Sequence, residues 1–234
     1  MTTMREVESV LVPIINAVSL DGKDVIDVGC GNGDVARALS EQGARVIGID
    51  RHEMLSKAQI EERTNAVRFL EGGAERIPVA SGSAALVLFL ASLHHVPHAR
   101  MHDAVREAYR VLAPGGHALF IEPLVECSYY LITRLAEEET EARRVAHEAI
   151  DKACTVGFRQ RSEEFFFIER SFEDFRDLLE LHWEEGEQEK REVLARAEVI
   201  ARTLAAGAGC TLDDYRFSSA CRLDLLCKPE GGSP

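Results

Sequence analysis

Between residues 24 and 50 the chain reads DVIDVGCGNGDVARALSEQGARVIGID, and the groups there that could do chemistry are two acids and three glycines. Gly29, Gly31 and Gly33 fall at alternate positions. Lacking a Cβ, they let the main chain turn sharply and lay its peptide groups against a ligand. Asp50 closes the apolar run RVIGID, where a carboxylate can accept hydrogen bonds from two neighbouring ribose hydroxyls. Asp27 stands two residues before the first glycine. A nucleotide-type ligand is what this set of groups suits. Further along, His94 and His95 are adjacent imidazoles with an ordinary pKa near 6.5, suited to taking up a proton, while Glu122, Tyr129 and Tyr130 are candidates to orient a second molecule.

These groups need elements to hold them. Val25, Ile26 and Val28 form a short β-branched run, the pattern of a strand buried on both faces of a parallel sheet. A helix follows the glycine turn, with Val35 and Leu39 on one side and Gly43 as its C-terminal cap. Its N-terminus directs free N–H groups and partial positive charge at whatever lies over the turn. RVIGID is then a second strand that delivers Asp50 to the carboxyl edge of the sheet.

The spacing separates two nucleotide chemistries. A dinucleotide fingerprint needs a third glycine where this chain has Asp34, which argues against a nicotinamide-dependent oxidoreductase. GCGNG preceded by Asp27 instead resembles the first motif of class I S-adenosylmethionine-dependent methyltransferases, of the ubiquinone/menaquinone-biosynthesis-like small-molecule type. RVIGID, EGGAERIPVASGSAALVLFLASLHHV and RVLAPGGHALFIEP continue the likeness in order, over roughly residues 20 to 123. The resemblance implies an α/β fold: a Rossmann-like, doubly wound, mostly parallel seven-stranded sheet, helices on both faces and a helical lid insertion. It also implies S-adenosylmethionine as cofactor and S-adenosylhomocysteine as product. Asp27 would meet the methionine ammonium, Asp50 the ribose, and Met54 one adenine face. Gly29, Cys30, Gly31, Gly33, Arg51 and Leu90 complete the matched cofactor-binding set. Gly73 stands where the family carries an acid for the adenine amino group, so that task passes to the Ala74 backbone or to Glu75. Some relatives with acids at positions 91 and 94 bind a divalent metal next to a histidine at 95; Ala91 removes one such ligand, and no metal is expected.

The remaining pattern supplies supporting elements. Val7, Val10, Leu11, Ile14, Ile15 and Val18 predict a helix over residues 4 to 20, and RHEMLSKAQIEER a helix with Met54, Leu55 and Ala58 inward. AVRFL, the apolar run from Ala84 to Leu90, and HALFIEP read as strands three to five. A helix carrying Met101, Val105, Tyr109 and Leu112 separates the last two. Residues 124–170 are the candidate substrate lid, with EEFFFIE either strand or cover. Within 171–234, Ser171 is placed to cap a helix, a further helix is expected at about 187–206, and CRLDLLC reads as a closing edge strand. The whole chain reads as a single domain, with residues 1–123 as its cofactor-binding core.

The formal charge of −13 disfavours phosphate neutralisation, so no nucleic acid partner is expected. Six cysteines without CxxC or metal-finger spacing read as reduced thiols, and the charged start of the chain fits neither a signal peptide nor a membrane span. The resulting expectation is a cytoplasmic protein transferring a methyl group, by direct in-line displacement, to an O, N, S or C nucleophile of a small molecule. The alternative in a different class is a non-catalytic cofactor-binding or scaffold protein. In-line placement about 3 Å from the methyl carbon supplies several kcal/mol through effective concentration alone.

Overall fold

The computed structural model describes residues 4–62, 64, 66–135, 137–172, 192, 195, 196, 199 and 216–231. Its centre is a sheet of eight strands in the order β1-β7-β8-β6-β5-β2-β3-β4. Strands β2 (Asp24–Val28), β3 (Arg45–Asp50), β4 (Val67–Glu71), β5 (Ala84–Leu90) and β6 (Leu112–Pro123) pair in parallel. From β2 the chain winds outward to β3 and β4, then returns to place β5 and β6 on the other side. This reversal between β2 and β5 is a topological switch point, and it opens a crevice at the carboxyl ends of those strands.

Successive residues of the buried strands serve opposite faces, which is why the runs are continuously apolar. Val25 belongs to the apolar cluster under α2 (Asp34–Glu41), with Ala36 and Leu39. Ile26 and Val28 belong to the opposite cluster, with Met101 and Val105 of α4 (Met101–Val111). The doubly wound α/β architecture expected from the pattern is therefore present.

Three elements differ from the sequence expectation. First, the apolar stripe over residues 4–20 is helical only in α1 (Leu11–Ala17). Arg5 and Glu6 instead form β1, parallel to β7 (Arg159–Ser171), which takes the sheet from seven strands to eight. Val7 extends that pairing by donating its N–H to the Phe167 carbonyl at 3.0 Å. Second, the helix expected after Asp50 divides into a 3-10 turn at His52–Met54 and a short α3 (Lys57–Glu61), leaving Met54 exposed and Leu55 buried. Third, the closing strand is not an edge. β8 (Arg216–Cys227) lies between β6 and β7, antiparallel to both, and Leu223 and Leu226 are buried because β7 covers it. EEFFFIE is accordingly strand, within β7. Ser171 is the last residue of β7. The helix expected beyond it lies outside the described residues, as does most of that at 187–206, where Glu192, Ala195, Arg196 and Val199 are helical.

After β6 the chain forms α5 (Ser128–Thr133) and α6 (Thr140–Asp151). α6 is the crossover to β7: Ala146, Ala149 and Ile150 pack in the same apolar cluster as α4. α5 and the segment carrying Glu138 and Glu139 follow directly from the carboxyl end of β6. Among the described residues, no helix is long and apolar enough to cross a membrane.

Candidate functional site

The turn after β2 is held by bonds the strands themselves provide. Gly29 and Cys30 donate their N–H groups to the Ile49 carbonyl at 2.8 and 3.2 Å, tying the turn to β3. Ser92 donates its hydroxyl hydrogen to the Val28 carbonyl at 2.7 Å, tying it to the end of β5. Gln59, buried in α3, donates its side-chain amide to the Gly31 carbonyl at 2.8 Å. Sequence reasoning missed Gln59; a lone polar residue on the inward side of a short helix was its signal.

The three glycines have different reasons. A Cβ on Gly29 would lie 2.4 Å from Ser92 Cβ, and one on Gly33 would lie 2.4 Å from the Phe69 ring. Those two make room for side chains of the protein. A Cβ on Gly31 would meet nothing within 4 Å, although its φ of +51° disfavours a side chain. Of the three, Gly31 is the one whose bare backbone is turned to open space.

That space is a cleft of about 590 Å³ at the switch point. Gly29, Gly31, Asp50, Arg51, Met54, Ala74, Glu75 and His95, all singled out from the sequence, line it. Asp50 accepts the Gly31 N–H on Oδ2 and the Arg51 N–H on Oδ1, both at 2.8 Å. Each oxygen keeps a second acceptor position. Glu75 folds back so that its Oε2 would lie 2.8 Å from a Cβ built on Gly73. The carboxylate missing at position 73 is thus supplied, in nearly the same place, from two residues on.

Asp27 is 2% exposed and does not itself line the cleft, although Val28 and Gly29, which follow it, do. Its Oδ2 is buried without a hydrogen-bond partner. Burial, and secondarily the negative charge of Asp50, push its pKa up to about 7. Cys30, grouped with the cofactor-binding residues, instead turns its thiol into the apolar cluster under α2, and burial pushes that thiol up to about 12. Leu90 packs against the same cluster and Gly33 caps α2, so neither lines the cleft with a side chain.

A second constellation forms where β5 ends. Ala91, the residue that turns the chain there, has a φ of +48°, the one non-glycine positive φ among the described residues. Glu122, fully buried, accepts the Ser92 and Leu93 N–H groups on Oε1 at 3.1 and 2.8 Å. Its Oε2 lies 2.5 Å from His94 Nδ1, so the proton of a neutral His94 ring resides on Nδ1 and Nε2 is left with its lone pair. Glu122 therefore faces the turn, not the cleft, in contrast to the substrate-orienting place expected for it. Tyr130 is likewise turned inward, being 1% exposed. Its hydroxyl accepts the Glu139 N–H at 2.9 Å and donates to Glu138 Oε1 at 3.1 Å. Tyr129 is partly buried and stacks on Phe172, with the Arg170 guanidinium over its ring.

Glu139 completes this corner, and nothing in its sequence surroundings marked it. Its Oε1 lies 3.6 Å from both His94 Nε2 and His95 Nδ1. Its Oε2 pairs with Arg143 at 2.6 Å, and that guanidinium stacks on the Tyr130 ring. His95 is the imidazole that reaches the cleft; although its side chain is 59% exposed, partial loss of water around the ring, then the neighbouring His94, lower its pKa.

A glycine turn at a switch point, with an acid at the end of the next strand, defines a nucleotide-binding domain of the doubly wound α/β class. The bare Gly31 backbone and the orphaned Asp27 oxygen fit a ligand that carries a cation beside its nucleoside. Residues 26–120, under half of the chain, match the family model described as Methyltransferase domain. Ubiquinone biosynthesis O-methyltransferase of Pseudomonas entomophila is 37% identical over 110 residues, which cover 44% of this chain and 45% of that protein. The match thus spans about half the length of this curated relative. Among solved structures, a methyltransferase candidate from Bacillus halodurans C-125 superposes over 94% of this chain and 99% of its own, with TM-score 0.68 and 21% identity. The YcgJ protein of Bacillus subtilis does so over 94% and 97%, with TM-score 0.64 and 19% identity. Residues 26–120 are thus similar in sequence to a methyltransferase domain, and the chain shares the fold of these solved structures.

Proposed function

We propose that the protein transfers a methyl group from S-adenosylmethionine to a nucleophilic O, N, S or C atom of a small molecule by direct in-line displacement, in the cytoplasm. The reading rests above all on one observation: Gly31, Asp50 and Glu75 converge on a single cleft, whose wall includes Val28, the residue next to Asp27 and its unpartnered oxygen. When bound, S-adenosylmethionine supplies a methyl carbon already activated by its sulfonium. The chain's own groups then bind and orient. Asp27, ionised by the approach of an ammonium, holds the methionine end. Asp50 accepts from the ribose hydroxyls with its two remaining acceptor positions. Met54, half exposed at the cleft wall, covers an adenine face, and Glu75 accepts from the adenine amino group in the place a residue-73 side chain would otherwise take. The acceptor enters beside His95, where a ring nitrogen can take up its proton; Tyr129 is placed to border the entry.

Calorimetric titration with S-adenosylmethionine, S-adenosylhomocysteine and NAD tests this. Micromolar binding of the first two without NAD is expected, and Asp50→Ala should weaken it at least tenfold, about 1.4 kcal/mol. Binding of NAD alone would overturn the assignment. Cofactor binding with no methylated product across an acceptor panel would favour the scaffold alternative.

A further inference from the structure

The donor atoms at the corner after β5 are spaced in a way that hydrogen bonding does not explain. His94 Nε2, His95 Nδ1 and a Glu139 carboxylate oxygen all lie within 4.8 Å of one another, and both imidazole-to-carboxylate distances are 3.6 Å. A gap of 3.6 Å is too long for a hydrogen bond. It is close to the separation of about 3.4 Å between two ligands that each stand about 2.1 Å from a tetrahedral zinc ion. The three groups face one another across a space that one small cation would fill.

The surroundings arm these groups as ligands. In the neutral His94 ring the Nε2 lone pair is free, because Nδ1 is engaged by Glu122 in the carboxylate–histidine arrangement that orients imidazole ligands and raises their basicity. Glu139 is fixed from behind: Arg143 takes its other oxygen and Tyr130 receives its backbone N–H. With both positions held by buried partners, only His95, whose side chain is 59% exposed, must adjust to close the set.

We propose that His94 Nε2, His95 Nδ1 and Glu139 Oε1 form a binding site for one divalent transition-metal ion of the zinc class. Two imidazoles and a carboxylate are the donors such ions favour, and three protein ligands leave a coordination position open. Because His95 lines the cleft, that position opens towards it, where an acceptor hydroxyl or thiol could bind and lose its proton more readily, to solvent at the exposed His95 edge. This use of the site, though not the binding of metal itself, rests on the methyl-transfer reading. Of the set weighed from the sequence His95 is kept, an imidazole stands at 94 in place of an acid, and the carboxylate comes from Glu139, beyond β6, and not from position 91.

The test needs no methyl donor. The full chain is stripped of metal with a chelator and titrated with Co²⁺, following the visible absorption of a low-coordinate cobalt centre. One equivalent should bind with that absorption. His95→Ala and Glu139→Gln should each weaken binding at least tenfold, Glu122→Gln should weaken it as an outer partner does, and His102→Ala, remote from the corner, should leave it unchanged. Absence of the absorption, or binding indifferent to His95→Ala and Glu139→Gln, would overturn the proposal. S-adenosylmethionine calorimetry on the same samples reports separately, so loss of cofactor binding with the cobalt signal intact would reject the methyl-transfer reading alone.

Discussion

Asp27 and Glu122 are both buried acids near the carboxyl ends of parallel strands, and they are satisfied in opposite ways. Glu122 spends both oxygens on the protein, on the Ser92 and Leu93 N–H groups and on His94. Asp27 keeps an oxygen without a partner. A buried carboxylate with a complete set of donors holds a turn together; one left incomplete costs stability until something else completes it. The first is a part of the fold, and the second is, on the proposed function, half of a binding interaction.

The largest expected effect breaks the satisfied side of this comparison. Glu122→Ala leaves two backbone N–H groups and the His94 ring buried without acceptors. At about 1–3 kcal/mol for each abandoned group, partly relieved by relaxation, the loss should be on the order of 3–5 kcal/mol. Denaturant unfolding checks it; a loss below about 1 kcal/mol would mean that Glu122 does not organise the turn.

Asp27→Asn should act in the opposite direction on the fold and against the ligand. The Asp27 pKa rises from an ordinary 3.8 to about 7 on folding. Between those values the native state binds more protons than the unfolded one, so stability falls as pH rises through that window and is lowest above pH 7. Asparagine removes the slope, and at pH 8 the variant should be more stable by a few kcal/mol. It should nevertheless bind S-adenosylmethionine at least tenfold more weakly. In the unaltered protein, affinity should increase with pH up to about 7, with a proton released on binding below that. Calorimetry in buffers of differing ionisation heat reads the proton directly.

Glu75 sharpens the comparison at intermediate size. Glu75→Ala should weaken cofactor binding roughly five- to tenfold, the worth of about one hydrogen bond. Adding Gly73→Asp to that variant places a carboxylate where Glu75 stood, and should recover most of the loss. Gly73→Asp alone should displace the Glu75 side chain with little change in affinity. No rescue in the double variant would mean that the two positions do not share one space.

The contrast between the two acids also explains how much the sequence revealed. Asp27, the glycines and Asp50 lie within one strand–turn–helix–strand run, so their chemistry and their placement share a local pattern. Glu122 and Glu139 acquire meaning only when β5, β6 and α6 bring them to His94 and His95, and no local spacing encodes that meeting. The same holds for Tyr130, an aromatic suited to a pocket by type but consumed by the Glu139 segment. The strands were readable because burial on both faces makes them continuously apolar. The interior place of β8 was not, because its position depends on β7 pairing outside it.

The smallest effect concerns the link between the two regions. Ala91 joins β5 to the histidine corner while lining the cleft, and it holds the left-handed conformation that an L side chain adopts at a cost of about 1 kcal/mol. Its N–H donates to the Ile121 carbonyl at 2.8 Å, and Glu122 fixes the next two N–H groups, so the backbone has no room to relax. Ala91→Gly should therefore stabilise the folded chain by up to about 1 kcal/mol, less the entropy that glycine returns to the unfolded state. Ala91→Val, whose β-branch is poorly tolerated at that φ, should destabilise it. If thermal unfolding ranks valine above glycine, the turn does not hold the strain assigned to it, and the Glu122 bonds are not what enforces its shape.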